Sequence, residues 1–346
     1  MGAVQQKKPR AERNEGEAPA SRILHRARSL GARPLWNVSD LAIAGSLIAL
    51  LPPAWLLPES TWWHLCRAIS RAPGLVDQTT LNRTIAGIEG ALVGPDHERA
   101  ASIARDLQAA VYELRMQNLR SWRPGGWRPD VALRGEEHLA LARERGKGAI
   151  LWVAHFAFNG GITKIALHDR GYGVSHLSRP EHGFSKTRFG IGCLNPVRCI
   201  PEDRYLAQRI VYDRHAPSSP MRRMMRTLND GGIVSITAGA WEGSGLVEAP
   251  FLCGTLSLAT GAPRLAALTG AALLPVFSIR DRRQGFLTVI EAPIDLSHDD
   301  TPAACCSSAA IEYLRRHEAW VRQFPEQWRG WKEWRSTSGG RSAFES

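Results

Sequence analysis

His155 stands at the end of an uncharged run, Ala149-Ile-Leu-Trp-Val-Ala154, and Asn159-Gly-Gly161 follows it. A histidine in that place could act as a general base on a hydroxyl, because the ordinary imidazole pKa lies near neutrality. It could equally be a buried histidine satisfied within a turn. Asn159 could accept from the imidazole N–H and orient the ring, without adding charge. A second group lies in Ser178-Arg-Pro-Glu-His-Gly-Phe-Ser-Lys-Thr-Arg188, which carries Arg179, His182 and Arg188 among small hydroxyl residues. Paired guanidinium donors suit a phosphate or carboxylate, so this stretch reads as an anion-binding loop. Taken singly, each arginine reads as a solvated surface charge. Glu242 follows another candidate strand and is the carboxylate nearest its end. The six cysteines show no C-x-x-C pair and no zinc spacing, and Cys305-Cys306 are adjacent. Free thiols in a reducing compartment follow, and no metal or redox cofactor is expected.

These groups need strand ends to hold them. The run at 149–154 is short and apolar enough for a buried strand, and the segment from Ile162 has helical spacing. Strand, histidine, turn and helix is how an open α/β sheet presents a group at a strand's carboxyl end. Further strands are expected at 174–178, 233–237, 272–279 and 286–290, and helices at 96–122, 135–145, 203–213, 220–229 and 256–269. The alternation predicts an α/β fold, a mostly parallel sheet flanked by helices. Trp328, Trp331 and Trp334 are spaced by three, with Arg329, Lys332 and Arg335 between them. They could stack on bases, or form a closing amphipathic helix whose basic residues reach a membrane surface.

The net charge of +11 calls for an anionic partner: phospholipid headgroups, nucleic acid or a phosphorylated ligand. Residues 1–35 read as a basic, disordered tail, 36–70 as a membrane-associating apolar segment, 71–336 as the α/β domain, and 337–346 as a flexible tail. Residues 41–57 carry no charge, close to the ~20 residues a span needs, and Pro52-Pro53 interrupts them. A transmembrane helix, an interfacial anchor and a buried helix all remain open. The proline pair and the nearby Trp55, Trp62 and Trp63 favour an interfacial anchor, with the basic flank on the cytoplasmic side.

Residues 135–156, ending in Trp152-Val-Ala-His155-Phe156, resemble the approach to the H-x4-[D/E] motif of bacterial late lipid A acyltransferases of the lauroyl/myristoyl type, within the lysophospholipid acyltransferase superfamily. Similarity continues in Ser178-Arg179-Pro180, in Met225-Arg-Thr-Leu-Asn-Asp-Gly-Gly-Ile-Val, in Ala249-Pro250-Phe251, in Thr260-Gly261, in Leu274-Pro-Val-Phe-Ser-Ile-Arg280 and in Phe324-Pro-Glu-Gln-Trp-Arg-Gly-Trp331. The resemblance covers about residues 100–335 in order. It implies an acyltransferase-like fold behind an N-terminal anchor, and His155 as the base that lets an acceptor hydroxyl attack an acyl thioester. It implies that Arg179, with His182 and Arg188, binds substrate. The partners would be an anionic membrane lipid or glycolipid acceptor and an acyl donor, either acyl carrier protein or coenzyme A. The cytoplasmic face of the inner membrane would be the place. No nucleic acid is expected on this reading. The chain departs from the motif at Gly160, where the acid belongs, and at Ala238-Gly239-Ala240, where a second acid is expected. Asn159 and Glu242 are the nearest substitutes. A catalytically inactive lipid- or partner-binding protein of the same fold is the alternative, and nucleic-acid binding a weaker one.

Overall fold

The computed structural model describes residues 22–25, 33–74, 76–212, 218–240, 245–282, 285–296 and 301–336. In chain order the elements are β1 (Arg22–His25), α1 (Val38–Leu56), α2 (Glu59–Arg71), α3 (Gln78–Ile88), α4 (His97–Arg120), β2 (Val131–Arg134), α5 (Glu136–Glu144), β3 (Ala149–Val153), α6 (Asn159–Asp169), β4 (Val174–Ser178), α7 (Pro196–Asp203), β5 (Gln208–Val211), α8 (Ser218–Asn229), β6 (Ile233–Thr237), β7 (Gly245–Phe251), β8 (Gly254–Ala259), α9 (Gly261–Thr269), β9 (Ala272–Asp281), β10 (Gly285–Ile290), α10 (Pro302–Gln323) and β11 (Arg335–Ser336).

The main sheet runs β2-β10-β9-β3-β6-β4-β5. From β9 to β5 the strands are parallel; β10 turns back on β9 and carries β2 with it. This is the mostly parallel, helix-flanked α/β sheet that the alternation implies. Every residue of β3 is buried, as an uninterrupted apolar run between two layers requires. A separate antiparallel sheet, β1-β7-β8-β11, was not anticipated. Its strand β1 falls in the stretch read as a tail, and β7 and β8 form the β-hairpin of the sheet. Two expected helices are corrected here. The segment 203–213 holds the end of α7 and then the edge strand β5, and 256–269 begins in β8 before α9 starts.

The helix α1 is continuous through Pro52 and Pro53, so the expected interruption does not occur. At 19 residues it is about 28 Å long, close to a bilayer's hydrocarbon thickness. It is not a free-standing rod. At its start Asp40, fully buried, accepts from Ser185 Oγ at 2.5 Å and Thr187 Oγ1 at 2.7 Å. At its end the Ala54 and Leu57 carbonyls accept from the Arg120 guanidinium, and Trp55 Nε1 donates to the Leu119 carbonyl. Leu47, Leu50 and Ala54 pack with Trp62 and Cys66 of α2 against Tyr112, Met116 and Leu119 of α4. The opposite face is bare, with Leu41, Ile48 and Leu56 exposed.

Trp328, Trp331 and Trp334 are 1%, 1% and 7% exposed and follow a short turn rather than a helix. This corrects the closing amphipathic helix, and it takes these rings out of reach of any base.

Trp62 is fully buried at the joint of α1, α2 and α4, with the Arg120 guanidinium over its ring. Trp62→Ala should therefore cost about 3–5 kcal/mol in denaturant unfolding of the detergent-solubilised protein. A cost below about 1 kcal/mol would mean that the N-terminal helices are not part of the folded unit.

Candidate functional site

Parallel pairing in register sets the carboxyl ends of β3, β4 and β6 on one edge, with Val153 beside Thr237. His155, Arg179 and Gly239 leave from those ends and line one cavity of about 870 Å³. Asn159 and His182 line it too. Arg188 does not: it is exposed outside the lining, and its backbone N–H donates to the Pro34 carbonyl. Glu242 lies outside the described residues.

The turn that carries His155 is held from two sides. Asn159 opens α6 and donates Nδ2 to the Ala154 carbonyl at 2.7 Å, which closes the turn. The segment after α10 docks along the other side: Ala157 N–H donates to the Gln327 carbonyl, and Arg329 N–H to the His155 carbonyl. Gln327 in turn clamps the end of β9, accepting from Arg280 N–H and donating to the Arg280 carbonyl, both at 2.8 Å. The Pro-Glu-Gln-Trp stretch thus has a structural task, fixing the strand end under His155 and bringing Arg329 beside it.

Gly160 explains where the missing acid went. A Cβ built there would collide with the Arg198 guanidinium and would stand 3.2 Å from Glu202 Oε1. Arg198 Nε donates to Glu202 Oε1 at 2.7 Å, while Glu202 Oε2 meets Lys164 Nζ at 2.7 Å, His182 Nε2 at 2.8 Å and Arg209 Nη2 at 3.2 Å. The space of a side chain at position 160 is filled by a buried charge cluster with one carboxylate at its centre. Glu202 stays ionised: burial pushes its carboxyl up, but Lys164, Arg198 and His182 pull it well below the usual range. Burial, with Glu202 opposing, brings the Lys164 ammonium down to about 8. His182 falls to about 4, burial outweighing Glu202, so its neutral ring donates Nε2–H to the carboxylate.

His155 is also held neutral. Burial is the largest cause of a pKa well below the usual value, followed by the positive charges of Arg329, Arg198 and Arg179 and by His317. A neutral imidazole can accept a proton; the imidazolium that results would sit among like charges.

Of the residues singled out by type and spacing, His155, Asn159, Arg179 and His182 come together. Arg115, Lys164, Arg198, Glu202 and Arg329 were not foreseen. The 198/202 spacing of an i,i+4 ion pair was the signal available for Glu202, and Arg329 was visible only as one cation in a tryptophan-rich run.

Residues 200–333 match the family model described as bacterial lipid A biosynthesis acyltransferase. The match supports an acyltransferase on lipid substrates and takes in Glu202 and Arg329, but it begins after His155 and Arg179. Among solved structures, the 1-acyl-sn-glycerophosphate (LPA) acyltransferase PlsC from Thermotoga maritima is similar over 70% of this chain and 94% of its own, at 14% identity and a TM-score of 0.33. That score is too low for residue positions to be carried across. No curated protein sequence matches the chain.

His317 supplies a test of the surroundings. It is 2% exposed among the rings of Phe156, Phe251, Phe277, Tyr313 and Trp328, and among the described residues neither ring nitrogen has a hydrogen-bond partner. Burial lowers its pKa to about 3. An unfolded histidine binds a proton below about pH 6.5, while the folded one does not until about pH 3. Its burial therefore costs no proton-linked stability above pH 6.5, and about 1.4 kcal/mol for each pH unit below that. His317→Phe should raise the melting temperature at neutral pH and flatten its fall in acid. An unchanged acid slope would show that this ring is protonated in the folded protein.

Proposed function

We propose that this chain is a membrane-associated acyltransferase, moving an acyl chain from an acyl thioester to a hydroxyl or amine of a lipid or glycolipid acceptor. The observation that carries the reading is one cavity in which His155 faces both an apolar lining and a basic wall. Val76, Leu107, Trp152 and Met224 supply the first; Arg115, Arg179 and Arg329 supply the second. About 870 Å³ is the size of a site for a whole ligand, and its two-sided lining suits an amphiphile with an anionic head. The family match over 200–333 points the same way.

In this mechanism the neutral imidazole of His155 takes the acceptor's proton as its oxygen or nitrogen attacks the thioester carbonyl. The tetrahedral intermediate collapses, the C–S bond breaks, and the proton passes to the departing thiolate. Asn159 fixes the turn. Arg179 and the other guanidiniums would stabilise the oxyanion. Glu242 keeps its candidacy as an added carboxylate from the sequence alone. The bare apolar face of α1, fixed at both ends to the domain, supports attachment at a membrane interface, and the basic residues that precede it in the sequence favour the cytoplasmic side of the inner membrane.

The filling of the Gly160 space by Arg198 favours a second reading, a binding protein that keeps the fold without turnover. Transfer of label from an acyl thioester into lipid, in membranes containing the protein, separates the two. The transferase predicts activity that falls ~10²–10⁴-fold in His155→Ala and less in Asn159→Ala. Wild type that binds acylated ligand and turns over none of a broad donor and acceptor panel is the binding protein.

A further inference from the structure

We propose that Asp40 is a positioning residue: from the first turn of α1 it fixes residues 184–187 of the cavity wall, so that the helix read as the membrane-facing element also sets the shape of the site.

The sequence of α1 holds a single charge, Asp40, and the fold turns it into the protein, where it is 0% exposed. Its place in the helix explains only part of this. Asp40 Oδ2 accepts from Asn37 N–H at 2.9 Å and Asn37 Oδ1 accepts from Asp40 N–H at 2.9 Å, which completes a capping box. A capping box works as well at the surface, so capping alone does not call for a buried charge. The burial goes with two bonds to residues 145 and 147 positions further along the chain: Ser185 Oγ donates to Oδ1 and Thr187 Oγ1 to Oδ2. Both carboxylate oxygens accept, as an ionised group requires. Burial opposes the charge, and the bonds from Ser185, Thr187 and Asn37 bring the carboxyl below its usual pKa.

The two hydroxyls are fully committed. Ser185 Oγ accepts from Thr187 N–H at 3.2 Å and Thr187 Oγ1 accepts from Gly190 N–H at 2.9 Å, so each gives its proton to Asp40. Asn195 holds the same stretch from another side, its Oδ1 accepting from Phe184 N–H and Ser185 N–H and its Nδ2 donating to the Ser185 carbonyl. Gly190 admits this packing, since a Cβ there would collide with the Ser185 side chain.

The chain alternates across the strip. Phe184 and Lys186 line the cavity, while Ser185 and Thr187 turn to Asp40. The approach to α1 adds further holds: Arg33 pairs with Glu181 at 2.5 Å, and the Pro34 and Leu35 carbonyls accept from Arg188 and Phe189 N–H. Residues 33–40 thus brace one wall from outside, with Asp40 at the buried end. Asp40 is not on the lining, so it acts through the strip. Phe184 offers a ligand an apolar surface and Lys186 a charge, and the backbone between them sets their spacing. Without Asp40 a ligand has to order this strip as it binds, which costs affinity.

The reaction served rests on the acyl transfer reading, whereas the support of the wall does not. Full-length protein in detergent micelles is compared with Asp40→Asn, with the double variant Ser185→Ala/Thr187→Val, and with Asn37→Ala, which removes the side-chain cap of α1 and keeps both hydroxyl bonds. Backbone hydrogen exchange is read at Thr187 and Gly190, whose N–H groups bond to the two hydroxyls, with β3 as internal reference. A long-chain acyl pantetheine thioester is the probe, followed by calorimetry and by transfer to a lipid acceptor. Asp40→Asn should speed exchange at Thr187 and Gly190 about tenfold or more and leave β3 protected. It should weaken thioester binding and raise KM about tenfold, with kcat changed less than about threefold, because no reacting group is touched. The double variant should weaken binding to the same degree, and adding Asp40→Asn to it should cost little more. Asn37→Ala should lower the melting temperature and bind as wild type.

A merely structural Asp40 gives another pattern: a lower melting temperature, exchange that quickens in β3 as much as at 187 and 190, and unchanged KM and binding in the protein that stays folded. That pattern overturns the proposal, as do wild-type exchange in Asp40→Asn and additive losses in the combined variant. If wild type transfers no acyl group, the transferase reading fails by itself, and exchange and binding decide the role of Asp40. Wild type that does not bind the thioester either overturns both.

Discussion

One carboxylate carries the electrostatics of this molecule. Glu202 reaches Lys164 on α6, Arg198 on its own helix, His182 in the loop after β4 and Arg209 on β5. Its side chain is 5% exposed, and so is that of Lys164. Buried ion pairs gain little over apolar packing, but removing one member leaves charge stranded at a cost of about 3–5 kcal/mol. Four basic groups share this acid, so its loss would strand them together. The cluster underlies the turn at Gly160, and its arrangement decides what the cavity presents to a ligand. The floor beneath His155 is a closed structural network, while Arg115, Arg179 and Arg329 line the cavity beside it.

That division changes how the departure at Gly160 is understood. The gap left by the absent acid is not vacant, since Arg198 fills it and Glu202 holds Arg198 in place. An acid restored at 160 would have to displace the guanidinium and upset the pairing of three further residues. The two features belong to one packing solution: glycine at 160 is what the arginine's position requires.

Much of the sheet was legible because parallel strands buried on both faces leave continuous apolar runs. Residues 149–154 stand out in this way, 174–178 and 233–237 are shorter apolar patterns broken by serine, histidine or threonine, and the groups just beyond all three inherit their positions from the strands. Hence His155 and Arg179 could be placed from the chain alone. Strand β8 was hidden because its alternation, buried at Gly254, Leu256 and Leu258, runs straight into an alanine-rich helix. Strand β5 is a four-residue edge strand with two polar residues. Arg329 was obscured for another reason. Basic residues between tryptophans look like a surface pattern, and only the docking of that stretch against β3 shows that the rings are core and the cation faces a cavity. Charge pairing across α6, α7 and β5 is decided by tertiary approach, and local spacing holds almost none of it.

The docking of residues 327–329 on the far side of the His155 turn also sets a schedule. The ribosome delivers His155 well before Gln327 and Arg329, and the two backbone bonds that clasp the turn join parts of the chain about half its length apart. Such long-range closure comes late, after local helices and strand pairs have formed. A nascent chain that has not yet reached residue 327 has the histidine but neither the clasp nor the neighbouring guanidinium. The surroundings of His155 are thus assembled late, and any product that stops short of residue 327 lacks them.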